Sequence, residues 1–139
     1  MDEQIFAIQR YGGISRLFYE LAKQFTTTPD LDVELLPISA PIVNQYVLDN
    51  PDLTAALQTH PATNSIRALA TYFSHRTDVR GAQIVHNTFY LPHGLTGGKG
   101  AKRVVTIHDM IPELLPKTRR RLDLRTMKRR YEHQADHII

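Results

Sequence analysis

The chain has no cysteine among its 139 residues, which excludes disulfides and thiolate sites. No apolar run approaches the ~18 residues that a bilayer span requires. The opening stretch, Met1 to Phe6 (MDEQIF), is acidic and lacks the basic and apolar segments of a secretion signal. Together these absences predict a cytoplasmic protein. Its seven histidines are scattered, no group of them has strong metal-ligand spacing, and no metal is expected. There is no GxGxxG fingerprint with its acidic ribose partner, which argues against a nicotinamide-dependent oxidoreductase. Leu95 to Lys102 (LTGGKGAK) is rich in glycine but precedes a strand instead of opening a helix, so it is not a P-loop. No helix-turn-helix, zinc finger or RNA-binding motif is present, and no nucleic-acid partner is expected.

What is there suits one soluble domain. The composition, 42% hydrophobic and 22% charged, is that of a globular protein, and the length allows a real core. The net charge of +3 is modest but uneven: Lys99 to Arg130 carries eleven Lys and Arg against three Asp and Glu. Such a segment suits nucleic acid, an anionic lipid surface or phosphorylated ligands. A solvated helix face is the plainer reading.

Hydrophobic periodicity orders the rest. Ile14, Leu17, Phe18, Leu21, Ala22 and Phe25 recur at helical spacing, predicting a helix from about Ile14 to Phe25. Gly12 and Gly13 precede it. Paired glycines permit positive φ and close approach of a ligand, and the first N–H groups of the helix then favour an anion. Arg10 and Arg16 flank that turn. A tight turn with no ligand explains the same residues. Val33 to Ile38 predicts a strand ending near Pro37, and Asp52, behind Pro51, is a plausible helix cap. Asn64 or Ser65 can cap a further helix with Ile66, Leu69, Ala70 and Phe73 on one face. Ala82 to His86 predicts a strand ending in the polar cluster His86-Asn87-Thr88. Val104, Val105 and Ile107 predict another, ending on His108 and Asp109, with Pro112 closing it off. A basic helix follows from about Thr118 to Gln134, and Ala135 to Ile139 enters one more strand. This alternation predicts an α/β fold, a parallel sheet of doubly wound type with helices on both faces. In such sheets ligands bind at the carboxyl ends of the strands, where His86, Asn87, His108 and Asp109 stand.

Four segments together resemble the N-terminal domain of GT-B glycosyltransferases of the retaining family 4 (group 1): QIFAIQRYGGISRLFYELAKQF, IVHNTFYLP, RVVTIHDMIPELLP and YEHQADHII. They come in the family's order and span nearly the whole chain. The resemblance implies one Rossmann-like acceptor-side domain over residues 1–139, incomplete at both ends. The opening strand and the nucleotide-sugar-binding C-terminal domain, with its acidic EX7E-type motif, are expected beyond them. It further implies transfer of a sugar from a nucleotide diphosphate-sugar to an acceptor hydroxyl with retention. The acceptor would be a glycan or a lipid-linked one, in polysaccharide or cell-envelope glycan synthesis. The donor is a substrate; no cofactor or metal is implied.

By the same resemblance, Gly12, Gly13 and Arg16 lie at the donor diphosphate and His108 beside the transferred sugar. Asp109 and Glu113 orient that loop or meet sugar hydroxyls, and His86 and Asn87 line the acceptor side. Each has a plainer reading: Asp109 as a turn cap, Glu113 as the ion-pair partner of Lys117 or Arg119, His86 as a hydrogen-bonded core histidine. The basic segment Lys117 to Arg130 would hold the protein at the inner face of an anionic membrane. The rival reading is a non-catalytic basic binding module that meets a membrane surface or nucleic acid, or an inactive remnant of such an enzyme.

Overall fold

A computed structural model describes residues 1–2, 4–28, 30, 33, 42–57, 82–92, 100–110, 114 and 124–139. Along them run α1 (Gln4–Ile8), α2 (Gly13–Thr27), α3 (Gln45–Leu48), α4 (Pro51–Leu57), β1 (Ile84–Asn87), β2 (Lys102–Val105), α5 (Leu124–Gln134) and β3 (His137–Ile138). The strands form a parallel sheet in the order β1–β2–β3. Parallel neighbours need a crossover, and α5 lies on the one from β2 to β3. The class is α/β, with a Rossmann-like parallel sheet.

Strand alternation decides what each face of the sheet carries. His86 is in register with Val104 and Asn87 with Val105, so these two pairs point to opposite faces. On the first face the phenyl ring of Phe18, from α2, meets His86 edge-on at 5.3 Å. On the second, Val105 packs with Tyr90 and Tyr131, the latter from α5. Helices therefore cover both faces.

Helix α2 follows its sequence pattern. Ser15, Phe18 and Ala22 form its buried line, three and four residues apart as one helical face requires. Phe18 is wholly buried, together with Ile5, Phe6, Val47, Leu53 and Leu57, in the main core. Burial of a side chain of that size contributes roughly 1.5–3 kcal/mol. The glycine turn differs from expectation. Gly12 is extended, at φ 163° and ψ 166°, and the described glycine with positive φ is Gly100, at 93°. What Gly12 supplies is room: a Cβ there would meet the Gln9 side-chain amide at 2.5–2.7 Å.

The helix that opens at Pro51 is capped two residues earlier than expected. Asn50 Oδ1 accepts from the Leu53 N–H at 3.1 Å, with Pro51 in the first helical position, where its missing N–H costs nothing. Asp52 lies in the first turn instead. Both long strands are also shifted. β1 starts two residues after the expected Ala82 and ends one residue after His86, and β2 starts at Lys102 because that N–H bonds the Gln83 carbonyl at 2.8 Å. Ile107 lies past β2 but still pairs, its N–H on the Ile139 carbonyl at 2.9 Å. The strand expected over Val33–Ile38 beyond Val33, the helix after Asn64 or Ser65, residues 93–99 of the glycine-rich loop, Glu113 and the start of the basic helix lie outside the described residues. No helix among the described residues is long and apolar enough to cross a membrane.

Candidate functional site

Two histidines at the carboxyl ends of β1 and β2 gather around one ring. Phe18 makes edge contacts with two imidazoles, His86 at 5.3 Å and His108 at 5.6 Å, with interplanar angles of 72° and 85°. Phe18 is legible in the sequence only as a core residue of α2; its place between sheet and histidines is a product of the fold. Both imidazoles are held. His86 Nε2 is 2.8 Å from the Thr106 hydroxyl. The His108 backbone N–H donates to the Tyr90 hydroxyl at 3.2 Å, and Tyr90 in turn donates to the Thr106 carbonyl at 2.9 Å. His108 Nε2 faces the Thr88 carbonyl at 3.4 Å. A carbonyl only accepts, so this contact places the proton on Nε2 and leaves the Nδ1 lone pair of neutral His108 as an acceptor.

Electrostatics keep both rings neutral to lower pH than an exposed histidine. His86 titrates below its ordinary value, first through burial, then through the N-terminal ammonium and His108, with Asp2 opposing. His108 is lowered chiefly by burial and further by Lys128, with the Thr88 contact and Asp109 opposing. A neutral, half-buried imidazole with one free nitrogen can accept a proton or a hydrogen bond from a hydroxyl.

The glycine turn opens the same helix that delivers Phe18, and at 1.5 Å per residue Gly13 stands about 7.5 Å along the axis from it. The turn is pinned from outside. Asn44 Nδ2 donates to the Gln9 and Arg10 carbonyls at 2.7 and 3.3 Å, and the Gln45 N–H to the Arg10 carbonyl at 3.0 Å. Gln9 Oε1 accepts from the Ser15 N–H at 3.0 Å, so one of the early helix donors is already engaged. Gly13 is exposed, with open space where a Cβ would stand. Arg16 is exposed on the first turn of the helix.

The remaining candidates divide. Asp109 is exposed directly after His108, and its carbonyl accepts from Lys128 Nζ. Asn87 faces the interior, 2% exposed. Its Nδ2 donates to Asp2 Oδ2 at 2.5 Å and its Oδ1 accepts from Arg103 Nη1 at 2.5 Å. Asp2 is the hub of this cluster. Its carboxylate also accepts from the Thr88 N–H (2.8 Å), the Thr88 hydroxyl (2.7 Å) and Gln4 Nε2 (2.5 Å). Gln4 Oε1 then accepts from the Leu91 N–H at 2.6 Å. The cluster fixes Thr88 to Leu91, the loop whose Thr88 carbonyl faces His108. Asp2, Gln4 and Gln9 are missed by sequence reasoning because nothing local marks which loop a polar residue will reach.

No family model, curated protein or solved structure matches the chain. The site is therefore read from its own geometry. Among the described residues no three His, Asp or Glu gather as metal ligands. What the geometry assembles is a neutral histidine at a strand end, a second histidine beside it, and a helix that begins at an open glycine turn.

Proposed function

We propose that this chain is the acceptor-side, Rossmann-like half of a retaining glycosyltransferase that uses a nucleotide diphosphate-sugar. The observation that carries the reading is His108. It sits at the carboxyl end of a parallel strand, where open α/β sheets bind ligands, with Nδ1 available and the glycine-turn helix packed against it through Phe18. The resemblance of the GGISR and TIHDMIPE segments to family 4 enzymes adds the reaction class.

The chemical task is to stabilise a departing diphosphate and an oxocarbenium-like sugar. The open start of α2 at Gly13, with its dipole and Arg16 on the first turn, suits the diphosphate. Neutral His108 suits a sugar hydroxyl, which an imidazolium would only donate to. Asp109, exposed beside it, and Glu113 are assigned to orienting the sugar. His86 is assigned to the acceptor side, whereas Asn87 holds the loop behind it. The acceptor is a glycan or lipid-linked alcohol, and the donor grip beyond the diphosphate belongs to a second domain. The exposed Arg129 and Arg130 of α5 give an anionic membrane surface something to hold.

The test is to express the complete reading frame and incubate it with a panel of nucleotide diphosphate-sugars and lipid-linked or oligosaccharide acceptors. Product carrying the donor's anomeric configuration is expected. Neither transfer nor donor hydrolysis across the panel, from a folded protein, would overturn the reading.

A further inference from the structure

Lys128 is a cation in an unexpected place. It stands in the run Lys128-Arg129-Arg130, which reads in sequence as one solvated basic face. The two arginines are exposed, but Lys128 is only 3% exposed. It lies three residues before Tyr131, hence on the same core-facing side of α5. A buried ammonium is costly unless its donors find acceptors. Its Nζ donates to the Asp109 carbonyl and lies 3.4 Å from Met110 Sδ. The accepting carbonyl belongs to the residue directly after His108.

The other side of His108 is also held by α5, through one intermediary. Tyr131 packs edge-on against Tyr90 at 5.8 Å, and the Tyr90 hydroxyl takes the His108 N–H while donating to the Thr106 carbonyl. The backbone is thus fixed just before His108 by Tyr90 and just after it by Lys128. Two residues one turn apart on α5 back both anchors, and little freedom remains in the backbone from which the imidazole projects. We propose that Lys128 is the positioning residue of the His108 loop, holding the imidazole in its reactive orientation from behind. The proposal rests on the glycosyltransferase reading for its catalytic consequence, but not for the coupling of Lys128 to His108. The charged and titratable neighbours of His108 agree with such a coupling: Lys128 opposes its protonation, Asp109 favours it, and His86 stands across Phe18.

Lys128→Met keeps the length and apolar stem of the side chain and removes its charge and donors. In the complete protein, kcat should fall about 10- to 100-fold, the size of effect that a slightly misplaced catalytic group produces, with donor KM little changed. In a histidine-resolved NMR titration of the same variant, the His108 midpoint should move up while that of His86 stays. Wild-type kcat with an unmoved His108 midpoint would overturn the proposal. So would a loss of activity that follows a loss of folded protein, with the His108 midpoint unmoved. Should the variant not fold, the wild-type protein with 15N-labelled lysine gives the answer. The Lys128 ammonium resonance should inflect at the His108 midpoint, and a flat Lys128 profile would refute the coupling. A parent protein that transfers no sugar would defeat the functional reading alone, because both NMR measurements need no substrate.

Discussion

His86 and Asn87 are neighbours on one strand and have opposite environments. His86 turns toward α2, partly buried, with Phe18 on its ring and Thr106 on its Nε2. Asn87 turns the other way, into a closed cluster where Asp2 and Arg103 take the two ends of its amide. Two adjacent polar residues at a strand end suggest one polar site. The period of a strand divides them, turning one toward the histidine pair beside Phe18 and the other into a closed structural cluster. The two faces still cooperate, because the Asp2 cluster fixes Thr88, and the Thr88 carbonyl faces His108.

The largest effect should come from cutting into the closed cluster around Asn87. Asn87→Leu leaves a buried carboxylate and a guanidinium each without one partner, and should cost about 2–4 kcal/mol in urea denaturation. His86→Phe keeps an aromatic ring against Phe18 and loses one hydrogen bond, for about 1 kcal/mol. Equal losses would mean that the two faces are not different in kind.

A second measurement separates the faces by pH. Burial lowers the titration of both histidines, so the unfolded chain binds more protons than the folded one just below the ordinary histidine value of about 6.5. Stability contributed by the neutral rings is therefore complete above that value. It is lost as pH falls through the lowered midpoints. Thermal melting followed from pH 8 to pH 5 should show the decline, and replacing both histidines with asparagine should flatten it. An equal decline in the double variant would place its source elsewhere. The smallest effect belongs to the rim. Lys102 and Asp136 form an exposed pair at 2.7 Å, so Lys102→Ala should leave the melting temperature essentially unchanged.

Much of the frame was legible because it rests on local patterning. The stripe through Phe18 and Ala22 gave α2, and the apolar runs around Val85 and Val105 gave two parallel strands. The shifts at their ends have a common cause. Lys102 and Arg103 do not read as strand residues, yet Arg103 fits inside because Asn87 accepts from its guanidinium across β1. Asn87 reads as a ligand contact, but is held in the interior by a residue 85 positions away. Lys128 was unreadable for the same reason: its burial depends on a carbonyl 19 residues earlier. Gln9, capping Ser15 from across the turn, has no helical periodicity to announce it. Residue type and spacing reported which faces are apolar, but not which polar side chain would meet which loop.

The account turns on His108 as a functional residue and not merely a packed one, and turnover by His108→Ala in the complete protein tests that most directly. Transfer should fall by at least about 100-fold, the loss typical for removal of a positioned catalytic group, while the variant unfolds at nearly the parent's urea concentration. Parental turnover by a well-folded His108→Ala protein would contradict the account and return His108 to the core.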